Sequence, residues 1–184
     1  LPSTYPVSAF LHTADRAMPT VSDWIDHLHL EPHPEGGFYR ERYRAALQVP
    51  QAALPKTFDG PRDAAALIDF CLPGDSFSAL HRIRQDELWH FLDGAPLTLH
   101  QIAPDGSYHR QCLGPGLKAD MELQAVVPAG HWFGATVNDP DGYALVGCTT
   151  APAFDFADFE LADRAALTER FPQHRAVIER LTRA

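Results

Sequence analysis

The sequence predicts an all-β domain, a sandwich or a small barrel, with short helices at its two ends. Three observations carry this expectation. From residue 64 onward the residues alternate with period two in short runs: 67–72, 77–83, 87–92, 97–102, 109–113, 124–127, 131–137 and 143–149. Turn signals separate these runs: Pro73-Gly74, Asp93-Gly94, Asp105-Gly106, Gly114-Pro115-Gly116, Ala129-Gly130 and Asp141-Gly142. Helical spacing is confined to the ends of the chain. Regular short strands punctuated by Gly and Asp mark sandwiches and barrels.

At 184 residues the chain is long enough for one domain with its own core. The domain is expected over 20–184, after a flexible extension at 1–19. Residues 1–17 show no basic stretch followed by an apolar core, so no secretory signal is expected, and Met18 makes a plausible start. Thr20 can cap a helix running to about Leu30, with Asp23 placed for a capping box and Val21, Trp24, Ile25 and Leu28 on one stripe. His27 and His29 belong on the surface of that helix. The block Glu31-Pro-His33-Pro-Glu35-Gly-Gly37 forbids a helix and forces a turn, with His33 expected on a rigid loop surface or an interface. A strand is expected at 38–43. The proline-bearing stretch 45–62 reads as a loop, mobile enough to act as a lid. Near the C-terminus Asp163 caps a helix ending near Phe171. Pro172 opens a second helix, with Val177, Ile178 and Leu181 on one stripe.

A net charge of −9 argues against a nucleic-acid or anionic-membrane binder. No apolar run reaches the roughly 18 residues a spanning helix needs. Cys71, Cys112 and Cys148 are odd in number and set in apolar runs. They read as buried reduced thiols of a cytoplasmic protein, with only His109 and Arg110 near Cys112 hinting at reactivity.

Strand parity sorts the candidate chemistry. Phe77, Ala79, His81 and Ile83 share one face, and Glu87, Trp89 and Phe91 share a face of the next strand. If both faces point inward, His81 and Glu87 meet across a hairpin in an aromatic-lined cavity. There they can shuttle a proton or help hold a metal. A buried pair that only fixes two strands is the other reading. His90 takes the opposite face. Arg40, after the Gly36-Gly37 turn, is a candidate clamp for a carboxylate or phosphate. Trp89 offers a stacking plate, with core packing as its plain alternative. Phe77, Phe91, Phe133 and His131 are expected around the same cavity.

Gly74, His81, Glu87 and Gly94 resemble the first cupin motif, and Pro128-Ala-Gly130 resembles the opening of the second. Four longer blocks are similar to the "cupin five" family of unknown function: Leu30-Glu-Pro-His-Pro-Glu-Gly-Gly-Phe-Tyr-Arg40-Glu, Phe77-Ser-Ala-Leu-His-Arg-Ile, Glu87-Leu-Trp-His-Phe and Asp155-Phe-Ala-Asp-Phe-Glu-Leu. The resemblance covers roughly residues 22–181. It implies a double-stranded β-helix, or jelly roll, similar to dTDP-sugar epimerases and seed storage proteins. The usual cupin metal site has three histidines and a glutamate. Here Ile83 stands at the second histidine position and Phe133 at the last. No cofactor is therefore expected. A divalent metal would need His81, Glu87 and His131, with His131 about 6.6 Å along its strand from Phe133. The two apolar substitutions instead suggest a drier cavity for an organic ligand.

The expected function is small-molecule binding. A sugar or sugar-nucleotide isomerase or epimerase is the enzymatic form of it, with His81 and Glu87 as acid and base and Arg40 as anion anchor. A non-catalytic metabolite-binding module and a structural jelly roll are the alternatives. The partner is a carbohydrate-like small molecule. A homodimer is also expected, because strand 38–43 has no evident partner in the chain.

Overall fold

The computed structural model describes residues 19–116 and 120–183. The expected extension at 1–19 lies outside the described residues except for Pro19. Helix α1 (Val21–Leu28) starts at the Thr20 capping box, in which Thr20 and Asp23 satisfy each other's backbone. His29 ends it in the left-handed conformation.

Two antiparallel sheets face each other. The first runs in the order β1 (Glu31–Pro32), β2 (Phe38–Arg44), β5 (Ala66–Pro73), β12 (Tyr143–Ala151), β7 (Asp86–Gly94) and β10 (Gln124–Val127). The second runs β13 (Glu160–Leu161), β6 (Phe77–Arg82), β11 (Trp132–Val137), β8 (Leu97–Ile102) and β9 (Tyr108–Leu113). Strands distant in sequence are neighbours in space, as a jelly roll requires. Between the sheets lies the main core, with Phe70, Leu72, Trp89, Leu97, Leu99, Phe133 and Val146 almost fully buried.

Both sheets are also covered outside. Helix α1 packs Val21, Trp24 and Ile25 on Cys71, Tyr143 and Leu145 of the first sheet. Helices α2 (Arg164–Arg170, capped by Asp163) and α3 (Arg175–Arg180) place Leu167, Phe171, Ile178 and Leu181 on Leu80, Ile102 and Trp132 of the second. Each such buried side chain contributes about 1.5–3 kcal/mol relative to exposure. This outer cover explains why the strand text is apolar on both parities.

Three expectations need correction. Strand β2 is not unpartnered: it pairs with β5 on one side and β1 on the other, so its edge gives no reason for a second chain. The stretch 45–62 is not a free lid. Strands β3 (Gln48–Val49) and β4 (Arg62–Asp63) pair across it, and Arg62 is locked to Asp158 by two hydrogen bonds of 2.7 and 2.8 Å. Third, β6 is bulged. Phe133 lies opposite His81 but Ala135 lies opposite Ser78, so β6 carries one extra residue there. The bulge frees two backbone amides. Ala79 N donates to Glu35 O at 2.8 Å, and Leu80 N donates to Leu181 O at 2.7 Å.

Among the described residues, no helix is long and apolar enough to cross a membrane. The three cysteines are free, and burial pushes the Cys71 thiol up to about 12.

Candidate functional site

A cavity of about 480 Å³ opens at one end of the barrel between the two sheets. Its deep part is lined by His81 and Ile83 of β6 and its extension, Glu87 and Trp89 of β7, and Cys148 of β12. Phe70, Ile68 and Tyr39 form one wall. Phe154, Phe156 and Phe159 form a second group of lining rings, and the exposed Glu31, Glu41, Arg44 and Asp155 stand toward the mouth.

The centre of the site is Glu35, which sequence reasoning missed. Gly36 and Gly37 have φ of +115° and +69°, and a Cβ on Gly37 would lie 2.9 Å from Cys71 O. Only a Gly-Gly turn lets the chain come that close, and the result drives the preceding Glu35 side chain into the barrel. Its carboxylate Oε2 lies 3.1 Å from His81 Nε2 and 3.3 Å from His33 Nδ1, while Oε1 accepts from the Ser78 hydroxyl at 2.8 Å. Burial opposes ionisation of Glu35, but His81, His33 and Ser78 outweigh it and hold the carboxyl below the usual range. His33 is therefore a site residue, not loop surface. Its ring packs against Tyr39, Phe70, Phe156 and Phe159.

His81 is 2% exposed and rests on Phe133, ring centroids 4.1 Å apart. Its Nδ1 faces Ala79 O at 2.8 Å, so that nitrogen carries a proton. Burial pushes the imidazole pKa down, against the pull of Glu35. Glu87 shares the cavity, but no hydrogen bond joins it to His81, whose partner is Glu35. Burial, then the Glu35 charge, raise the Glu87 carboxyl to about 8, with Trp89 and Cys148 offsetting only part. The site thus holds a carboxylic acid that keeps its proton at neutral pH beside a His–Glu pair that can take one up.

The other expected residues part company. Phe77 packs with the C-terminal helices, because the bulge reverses its parity relative to His81. Phe133 lies beneath His81, and Phe91 joins the main core away from the cavity lining. Arg40 is exposed on the outer face, where its Nη1 donates to His29 O at 3.3 Å. Tyr39 and Glu41 have the inward parity instead. His131 precedes β11, outside the cavity lining, and feels His109, Asp105 and Asp86. The anion anchor and the His81–Glu87–His131 ligand set are therefore not assembled.

The family's metal site does not fit these residues. Two of its four positions are the buried Ile83 and Phe133, and His81 Nε2 is engaged by Glu35. Among the described residues, no three His, Cys, Asp or Glu side chains are placed to hold a metal.

Two facing antiparallel sheets around an inward His and Glu at motif spacing define the chain as a cupin. The model of the family described as Cupin superfamily (DUF985) matches residues 22–162, and the chain belongs to that family. The match ends before α2, short of the 181 expected from the text alone. Protein SO0799 from Shewanella oneidensis is 40% identical, with a TM-score of 0.79 over 90% of this chain and 99% of that one. A hypothetical protein from Leishmania major is 37% identical, with a TM-score of 0.82 over 90% of this chain and all of its own. Oxalate decarboxylase from Bacillus subtilis, 14% identical with a TM-score of 0.50, aligns over 82% of this chain and 36% of its own length, and shares the fold alone. Comparison with curated proteins finds no match.

Proposed function

We propose that this cupin binds a small carbohydrate-like molecule and moves a proton at a carbon next to a carbonyl, as a sugar isomerase or epimerase does. One observation carries the reading. The cavity pairs an acid that holds its proton, Glu87, with a His81–Glu35 couple able to accept one. Two groups pushed to opposite protonation behaviour in one pocket suit acid–base catalysis. Phe156, half exposed in the cavity lining, supplies a face for a ring, and the volume suits a small ligand.

A sugar nucleotide is the less favoured substrate. Arg40 points away, and the one guanidinium lining the cavity among the described residues, Arg44, already bonds Glu41, Asp63 and Phe154 O. A phosphate has no free anchor there.

The test is proton exchange. Purified protein is incubated with unphosphorylated aldoses and ketoses in deuterated water, and the proton next to the carbonyl is followed by NMR. Exchange that disappears in Glu87→Gln and Glu35→Gln supports the reading. Binding without exchange converts it to a non-catalytic binding module. Absence of both leaves a structural jelly roll.

A cytoplasmic setting belongs to the same reading, supported by three free thiols. So does a homodimer. Its support is the exposed Leu92, Leu123 and Val126 beside the β7–β10 edge. Light scattering that finds a monomer at micromolar concentration overturns it.

A further inference from the structure

Resting on the binding reading above, we infer that the ligand of this cavity is a cation. It is a protonated amine that also carries a hydroxyl or carbonyl oxygen, of amino-sugar size, with its ammonium among the mouth carboxylates and its oxygen toward Trp89.

The lining charge is one-sided. Among the described residues, Glu31, Glu35, Glu41 and Asp155 face a single guanidinium, Arg44, which Glu41 and Asp63 already neutralise. The mouth carboxylates are exposed, and among the described residues none but Glu41 is in an ion pair. An anion entering this cavity meets repulsion, and a cation meets attraction. The aromatic wall adds to this. Phe154, Phe156 and Phe159 pack edge to face with centroids 5.0–6.0 Å apart, His33 stacks on Phe156, and Phe156 remains half exposed. Aromatic faces beside carboxylates are the setting in which organic ammonium ions bind. A hydrated metal ion would gain little from such a wall.

A second, independent observation fixes the other end of the ligand. The Trp89 side chain is 1% exposed and lines the cavity, and its indole N–H lies beside the Glu87 carboxyl without making a hydrogen bond of full geometry. A buried donor whose hydrogen bond is incomplete is costly. An oxygen acceptor on the ligand satisfies it, and beside it Glu87 offers a carboxyl. Acceptor inside and ammonium outside define one molecule of mixed character, which separates it from a simple amine and from a neutral sugar.

The experiment is calorimetric titration of the full chain at neutral pH with glucosamine, glucose, N-acetylglucosamine, a glucose phosphate ester and magnesium chloride alone. Glucosamine should bind about tenfold or more tightly than glucose and N-acetylglucosamine, and added salt should erode that margin. The phosphate ester should be weakest. The exposed mouth variant Glu31→Gln/Glu41→Gln/Asp155→Asn should lose the margin, while Glu169→Gln on α2 should keep it. Asn at 155 retains the oxygen that accepts from Ala157 N. Should the triple variant fail to fold, the amine against its acetylated form on the unmodified chain still decides. Equal or tighter binding of a neutral sugar or the phosphate ester overturns the cation while sparing the binding reading. Magnesium binding with no amine binding overturns it too. No binding by any sugar overturns both.

Discussion

Glu35 Oε2 and His81 Nε2 lie 3.1 Å apart inside the barrel, and the other His81 nitrogen is held by Ala79 O at 2.8 Å. Because a carbonyl can only accept, Nδ1 keeps its hydrogen. The Nε2–Oε2 contact is then where the pair takes up a further proton. The same bulge that turns His81 inward frees Ala79 N to hold the Glu35 backbone. One local irregularity therefore positions both members.

Glu35→Gln should lower the pKa of His81 further, since the carboxylate is what opposes its burial. It should also lower the raised pKa of Glu87, part of which comes from the Glu35 charge. The stability cost should be about 1–3 kcal/mol, because Gln keeps an acceptor for Ser78 but loses the charge-assisted partners. NMR titration of the imidazole and of the Glu87 carboxyl checks it. Unchanged titration of both groups contradicts the coupling.

Glu87→Gln should change the pH dependence of folding in a defined sense. The folded carboxyl titrates near about 8 rather than at its ordinary 4.5. Between these values the folded chain holds a proton that the unfolded chain releases. Stability is therefore full below the lower value and falls as pH rises through the window. At about 1.4 kcal/mol per unit of displacement the loss amounts to a few kcal/mol. The variant should melt like the parent at acid pH and above it at alkaline pH. Parallel curves across the whole range would refute the shift.

Asp158→Ala should be strongly destabilising. Its side chain is fully buried and receives Arg62, Gln85 at 2.6 Å and Arg84 at 3.2 Å. Removal leaves buried donors without a partner, a cost of about 3–5 kcal/mol. Asp158 also anchors the 154–159 wall, so ligand affinity should fall with stability. Asp59→Ala removes an exposed partner of the same Arg62 and should cost far less. Thermal denaturation of the two variants compares them directly.

Gly134→Ala probes the bulge. A Cβ at this position would sit 2.5 Å from Ser78 O and 3.2 Å from Leu80 N, both backbone atoms of the bulged strand. The strands must part, at about 1–3 kcal/mol. Because His81 lies on that strand, its imidazole resonances should move too. A variant with parent stability and unmoved His81 signals would show that the close approach is not needed.

Local sequence rules were enough for the elements themselves. Alternation located the eight long barrel strands to within a residue or two at most ends, because period two is a property of consecutive residues. Thr20 and Asp163 marked helix starts, because a cap is satisfied within one turn, whereas Pro172 opens a short 3-10 turn and α3 begins only at Arg175. His81, Glu87 and Trp89 were legible as cavity residues for the same reason. What alternation cannot carry is direction. Arg40 faces out although Tyr39 and Glu41 face in, since both faces of the first sheet are partly covered and either parity looks buried. Phe77 left the His81 face because a bulge is set by what the freed amides can bond, here Glu35 and Leu181, far away in the chain. Glu35 itself stood in plain view in the Glu-Pro-His-Pro-Glu-Gly-Gly block. Its role depends on His81 lying beside it in space, and only the closing of the barrel brings those two residues together.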